Sequence, residues 1–210
     1  MGIVEELVKR GGCIKAETKS GRAPINFACE NGHLELVKAL ISTYKIDVNT
    51  ADNSNQTLIH GACRESQLEM VRALIANGAD TTAKDWDQRT PTHMACISGH
   101  SEILKILITK DASDINAKDD NGVAPIHCAC GNGHVKALEV LLENTKVDVN
   151  AKDNVGPSPI CYACKKGHLD ILAMLLAHGN TDINARDKTD RAPIHYACDW
   201  RHVEILKVLI

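Results

Sequence analysis

Apolar residues fall in short runs at helical spacing, and each run is closed by a polar stretch rich in Gly, Asn and Asp. The stretch from Pro125 to about residue 152 shows the pattern whole. Pro125 opens a segment that predicts a two-turn helix to Asn132, because proline is tolerated in a first turn whose N–H groups lack partners anyway. Gly133 stops it in the left-handed cap conformation. His134 to Glu143 predicts a second helix, with Val135, Leu138, Val140, Leu141 and Leu142 as its apolar stripe. The polar sequence DVNAKDNVG then reads as an extended arm with a tight turn.

The pattern recurs. Ala-Cys stands at Ala28-Cys29, Ala62-Cys63, Ala95-Cys96, Ala129-Cys130, Ala163-Cys164 and Ala197-Cys198, at steps of 34, 33, 34, 34 and 34 residues. Pro24, Pro91, Pro125, Pro159 and Pro193 lie five residues before the cysteine, and Leu58 replaces proline once. His60, His93, His127 and His195 lie three before it, with Asn26 and Cys161 in the other units. Gly-His follows at Gly32-His33, Gly99-His100, Gly133-His134 and Gly167-His168; the second unit has Ser66-Gln67. Neither helix of a unit buries its apolar face alone, so the units must stack on one another.

These residues resemble the ankyrin repeat, a unit of about 33 residues with a T-P-L-H-x-A signature. Thr90-Pro91-Thr92-His93-Met94-Ala95 and Ala192-Pro193-Ile194-His195-Tyr196-Ala197 carry it, and the resemblance covers residues 18–210. It implies an all-α repeat solenoid: helix-turn-helix units joined by extended β-hairpin arms, curved, with arms and first helices lining a concave face. It also implies that the signature histidine hydrogen-bonds between turns. The expected division is residues 1–17 as the second half of a preceding repeat, then repeats at 18–51, 52–84, 85–118, 119–152 and 153–186, and a truncated repeat at 187–210. IVEELVKR, residues 3–10, reads as a second helix lacking its first, and the chain stops inside a helix at Val208-Leu209-Ile210. It is therefore expected to be a piece of a longer array. Where the signature threonine is Ala23, Ala124 or Ala192, a lost cap is expected to cost about 1 kcal/mol. Units of 34 residues carry one extra residue before the arm, so a varied turn is expected there. Units three to five are expected to be the most stable, and unit two and both ends the least.

Composition narrows the chemistry. Lys and Arg number 24 against 27 Asp and Glu, and a net charge of −3 speaks against general nucleic-acid binding. The start has no signal-peptide pattern, and no apolar run reaches the ~18 residues of a membrane span. Nine cysteines in a chain this long suit a reducing cytoplasmic or nuclear setting without disulfides. A disulfide needs Cα atoms within ~7 Å, whereas neighbouring helices pack ~8–10 Å apart. The periodic cysteines therefore read as small apolar residues in the helix seam.

Candidate catalysis and metal binding are weak. Cys161-Tyr162-Ala163-Cys164 is a C-x-x-C near His168, but zinc needs about four converging ligands and no second pair exists. Cys128 and Cys130 point about 200° apart on a helix. The histidines recur with the structural unit, as packing groups do and catalytic groups do not; His178, outside the period, reads as a solvated helix end. No phosphate-loop, dinucleotide, zinc-protease or nucleophile-elbow motif is present, so no enzyme activity, cofactor, metal or small-molecule ligand is expected.

A protein partner is the expected ligand. There are one Phe, two Trp and three Tyr, and five of the six map to the concave side. Interfaces are enriched in Trp, Tyr and Arg. The expected contact surface is Phe27, Arg64, Trp86, Arg89, Tyr162, Lys165, Lys166, Lys188, Arg191, Tyr196 and Trp200. The later units also carry Arg186 and Arg201, whereas the earlier ones mix Arg22 with Glu30, Glu65 and Asp87. A partner's acidic segment across units four to six fits this bias. Asn49, Asn116, Asn150 and Asn184 read as turn-stabilising. The alternative function is a targeting arm that recruits substrates for a larger multidomain enzyme.

Overall fold

A computed structural model describes residue 10 and residues 12–210. Six helix pairs follow one another: α1 (Pro24–Glu30) and α2 (Leu34–Ser42), α3 (Leu58–Arg64) and α4 (Leu68–Ala76), α5 (Pro91–Ser98) and α6 (Ser101–Lys110). Then come α7 (Pro125–Asn132) and α8 (Val135–Leu142), α9 (Pro159–Lys166) and α10 (Leu169–Ala177), α11 (Pro193–Asp199) and α12 (Val203–Leu209). The first helices pack side by side in one row and the second helices in another. The helix expected over residues 3–10 lies, but for Arg10, outside the described residues.

Small residues set the spacing of the inner row. Ala62, Ala95, Ala129 and Ala163 are fully buried, as are Cys63, Cys96, Cys130 and Cys164. Their short side chains let successive helices close up, while Leu74, Leu104, Leu107, Leu138 and Leu141 fill the layer between the two rows. All nine cysteines are free thiols. Burial pushes the thiols of Cys29 and Cys164 up to about 12, which leaves them protonated and inert. These features match a role as seam-filling apolar residues.

The helix starts depart from expectation. No hydroxyl at Thr57, Thr90 or Ser158 makes a side-chain cap. Instead the backbone N–H of the residue before the helix donates to the histidine three residues on. Thr57, Thr90, Ala124 and Ala192 donate to Nδ1 of His60, His93, His127 and His195 at 3.0–3.2 Å. Asn26 accepts the same bond from Ala23 at 2.9 Å. Ala23, Ala124 and Ala192 therefore lose no cap: the N–H groups of Asn26, His127 and His195 donate to their carbonyls, and their own N–H groups donate back to the asparagine or histidine side chain.

The arms are turns without strands. One isolated bridge, Ala51 to Thr57, is the only β pairing among the described residues. Five of the six arms are closed by their first aspartate: the N–H of Asp52, Asp85, Asp119, Asp153 and Asp187 donates to the carbonyl four residues on, and Thr18 does the same in the first unit. The Oδ1 atoms of Asp52, Asp119 and Asp187 accept N–H groups from two and four residues further. Neighbouring arms share one backbone bond at each step, such as Trp86 N–H to Ser54 O and Asn154 N–H to Asn121 O. A single bond per step makes a row of linked turns and no hairpin sheet.

The turn between second helix and arm varies, as expected. Lys45 turns at φ 54°, Gly179 at φ 82°, and unit three uses a 3-10 helix, Ala112–Asn116.

Candidate partner-binding surface

Three polar ladders run between the units. His60 and His93 accept at Nδ1, which puts their proton on Nε2, and Nε2 donates to Arg89 O at 3.1 Å and Val123 O at 3.0 Å in the next unit. His100, His134, His168 and His202 form the second ladder, each reaching back to a carbonyl of the preceding unit at 2.9–3.3 Å. In the third, Asn49, Asn116 and Asn150 bridge forward. The Asn116 amide donates to Lys146 O (2.7 Å) and its carbonyl oxygen accepts from Asp148 N–H (2.9 Å). These histidines and asparagines are occupied in stacking. Among the described residues no cluster of three or more metal-ligating side chains exists.

The remaining side chains on the arms and first helices divide by unit. At the start of the array the charges neutralise one another. Arg22 pairs with Glu30 and stacks over Phe27 at 4.4 Å. Arg64 pairs with Glu30 at 2.8 Å and Glu65 at 3.1 Å. Arg89 pairs with Asp87 at 3.1 Å and reaches the buried Asp119 at 3.4 Å. At the far end Arg191 pairs with Asp199 and stacks over Tyr196 at 4.4 Å. Lys165, Lys166 and Lys188 are exposed.

Units five and six enclose a cleft of about 370 Å³. Val155, Pro157, Tyr162 and Tyr196 give it apolar walls, and Lys165 and Arg191 lie on its border with Asp153 and Asp187. Tyr162 donates its hydroxyl to Asp153 Oδ2 at 2.7 Å, and Tyr196 does the same to Asp187. Burial, then the neighbouring carboxylate, pushes both phenols above their usual range. Burial works the other way on Asp187, but the Tyr196 hydroxyl and the N–H groups of Arg191 and Thr189 outweigh it and hold the carboxylate well below the usual range. The acids beside the cleft are thus already supplied with donors.

The structure brings Tyr162, Lys165, Arg191 and Tyr196 together at this cleft. Tyr196 is only 8 % exposed, under its arginine. Trp86 (73 % exposed), Trp200 (59 %) and Phe27 (42 %) stand apart from it. Arg64 and Arg89 are held by their own carboxylates. Val155, 62 % exposed, and Pro157 were absent from the expected surface. Their signal was the repeat register: Ser54, Asp87, Asn121 and Thr189 hold the position of Val155 in other units.

A two-row stack of helix pairs, tied by polar ladders and edged by turn arms, defines a repeat solenoid. A family model described as ankyrin repeats in three copies matches residues 1–85, 82–153 and 146–210. The chain belongs to the ankyrin-repeat family, whose repeats are a protein–protein interaction module. It is 33 % identical over 92 residues to Tyrosine-protein kinase HTK16 of Hydra vulgaris, covering 43 % of this chain and 12 % of that protein. It is 33 % identical over 89 residues to the Probable 26S proteasome regulatory subunit p28 of Saccharomyces cerevisiae, covering 42 % of this chain and 39 % of that protein. Alpha-latroinsectotoxin-Lt1a of Latrodectus tredecimguttatus is 29 % identical over 75 residues, 36 % of this chain and 5 % of the toxin. The matched stretches thus span well under half of each relative. Among the described residues no helix is long and apolar enough to cross a membrane.

Proposed function

We propose that the chain is a non-catalytic interaction module whose concave side, over units four to six, binds an acidic segment of a partner protein. The supporting observation is the distribution of unpaired cations. Arg22, Arg64 and Arg89 spend their charge on Glu30, Asp87 and Asp119, whereas Lys165, Lys166 and Lys188 have no acidic partner among the described residues. Unpaired surface cations steer an acidic partner and fix its register. Free thiols suit a reducing compartment, cytoplasmic or nuclear.

The test is capture from cell extract by the wild type and by a Lys165→Glu/Lys166→Glu/Lys188→Glu variant, read by mass spectrometry. A partner lost by the variant and weakened by salt supports the reading. Equal capture by both proteins sinks it. A Trp86→Ala/Trp200→Ala variant then asks whether the exposed tryptophans extend the same surface.

A second reading, a substrate-recruiting arm of a larger enzyme, is favoured by the identity to a relative named as a tyrosine-protein kinase. Sequence adjoining this chain in its gene product decides that point.

A further inference from the structure

We infer that the cleft between units five and six receives one branched aliphatic side chain of the bound segment, with an adjacent carboxylate of that segment on Lys165. The inference rests on the acidic-segment reading above and gives it a recognition pocket.

The repeat register supplies the reasoning. In units one and six the last arm residue, a central residue of the first helix and the residue three further on meet. In unit one these are Arg22, Phe27 and Glu30; the arginine covers the ring and the glutamate neutralises the arginine. In unit six they are Arg191, Tyr196 and Asp199, in the same arrangement. Both triads are self-contained, with the ring covered and the charge matched.

Unit five holds Pro157, Tyr162 and Lys165 in those positions. Proline brings no cation to lay over the ring, and the position of the acid carries a lysine. Tyr162 is tethered by Asp153 and lies back over Gly131 of the preceding unit, where an added Cβ would sit 3.1 Å from the ring. That orientation leaves one side of the phenol bordering the cleft, facing Val155 and Pro157. The His127 ring packs edge-on against Tyr162 at 5.1 Å between ring centres, and unit five lacks two things that units one and six supply for themselves: a cation laid over the ring, and an anion for the cation.

Charge selects between possible covers. A second cation would meet Lys165 and Arg191, and the nearby Asp153 and Asp187 already accept hydrogen bonds at both oxygens. An aliphatic group on the ring, followed by a carboxylate, gives Lys165 the acidic partner it lacks, while Asp153 and Asp187 keep their own N–H and O–H donors. A cleft of about 370 Å³ lies at the small end of ligand pockets, which suits one side chain and its backbone.

The test uses the whole 210-residue chain and fluorescence anisotropy with three fluorescein-labelled hexapeptides at low salt: Glu-Asp-Leu-Asp-Glu-Glu, the same peptide with Ala for Leu, and hexaglutamate. The Leu peptide is expected to bind roughly tenfold tighter than the Ala peptide, the value of burying a few methyl and methylene groups. Val155→Ser, which copies unit two, is expected to erase most of that difference while leaving hexaglutamate binding unchanged. Lys165→Gln is expected to weaken the Leu peptide roughly tenfold. Equal binding of all three peptides overturns the pocket and leaves the acidic-segment reading standing. A Leu preference that survives both substitutions also overturns the pocket. Failure of every peptide to bind overturns both.

Discussion

The imidazole of His168 lies on Gly133 of the preceding unit, so close that a Cβ added to the glycine would sit 2.8 Å from the ring. Gly133 also turns at φ 73°, the left-handed conformation that ends α7. Two demands meet at one residue: a positive φ and an open path for the histidine, which donates to Gly131 O. Ser66 and Arg201 adopt φ 60° and 57° at the matching position, at the strain cost of a side chain there. Gly133→Ala is expected to destabilise the chain by about 1–3 kcal/mol through strain and displacement of His168. Urea unfolding checks this, and Gly78→Ala is the control for strain alone, because Gly78 also turns at positive φ, 87°, but a Cβ there meets nothing within 4 Å; the excess loss at Gly133 reports the displaced histidine.

Acid should unfold the stack through its buried histidines. His60, His93 and His127 are lowered from their ordinary value of 6.5, mainly by burial. The unfolded chain therefore takes up protons as pH falls through about 6.5, while the native rings stay neutral. Stability is complete above that pH and is lost below it, by up to about 1.4 kcal/mol per pH unit for each ring. Urea midpoints between pH 8 and pH 5 should fall steeply, and His93→Gln should fall less steeply from a lower start. A flat profile in the wild type would contradict the burial of these rings.

The asparagine bridges make a position-dependent prediction. Asn116 links two units through both ends of its amide. Asn184 stands at the same place in unit five, but its exposed side chain makes no hydrogen bond among the described residues. Asn116→Ala is expected to cost about 1–2 kcal/mol, one partly exposed hydrogen bond at each end. Asn184→Ala should stay within about 0.5 kcal/mol. Equal costs would mean that the asparagine acts on its own turn, as the sequence suggested.

That case shows what a single sequence reveals in a repeat protein. Proline, Ala-Cys and Gly-His at fixed offsets mark helix starts, seams and stops because each answers to backbone geometry inside one unit. Partners one period away leave no local trace. The asparagine period was visible, but its targets, Lys146 O and Asp148 N–H, lie 30 and 32 residues further on. The 3-10 turn at Ala112–Asn116 follows a unit where Thr82 replaces the bridging asparagine, a substitution legible only once the bridge is known. Charge followed the same rule. The basic bias of the later units was readable, yet Arg64 and Arg89 look available until Glu30 and Asp119 are found beside them. Val155 and Pro157 went unnoticed because apolar residues in an arm fit no helical period.

The signature threonine and histidine should differ in weight, contrary to the expectation that the threonine caps the helix. Thr90 Oγ1 lies 3.0 Å from His93 Nδ1 and makes no side-chain cap. His93 accepts the Thr90 N–H, donates to Val123 O and is fully buried. Units four and six keep the histidine bond with alanine before it. The Thr90 hydroxyl also serves the buried Asp114 carboxyl, so Thr90→Ala is expected to cost about 1–2 kcal/mol, with no helix cap in that sum. His93→Ala leaves a cavity, an unpaired buried N–H and an unpaired carbonyl, and should cost about 3 kcal/mol or more. Thermal melts of the two variants decide the order. A larger loss from Thr90→Ala would restore the hydroxyl as the cap and demote the imidazole.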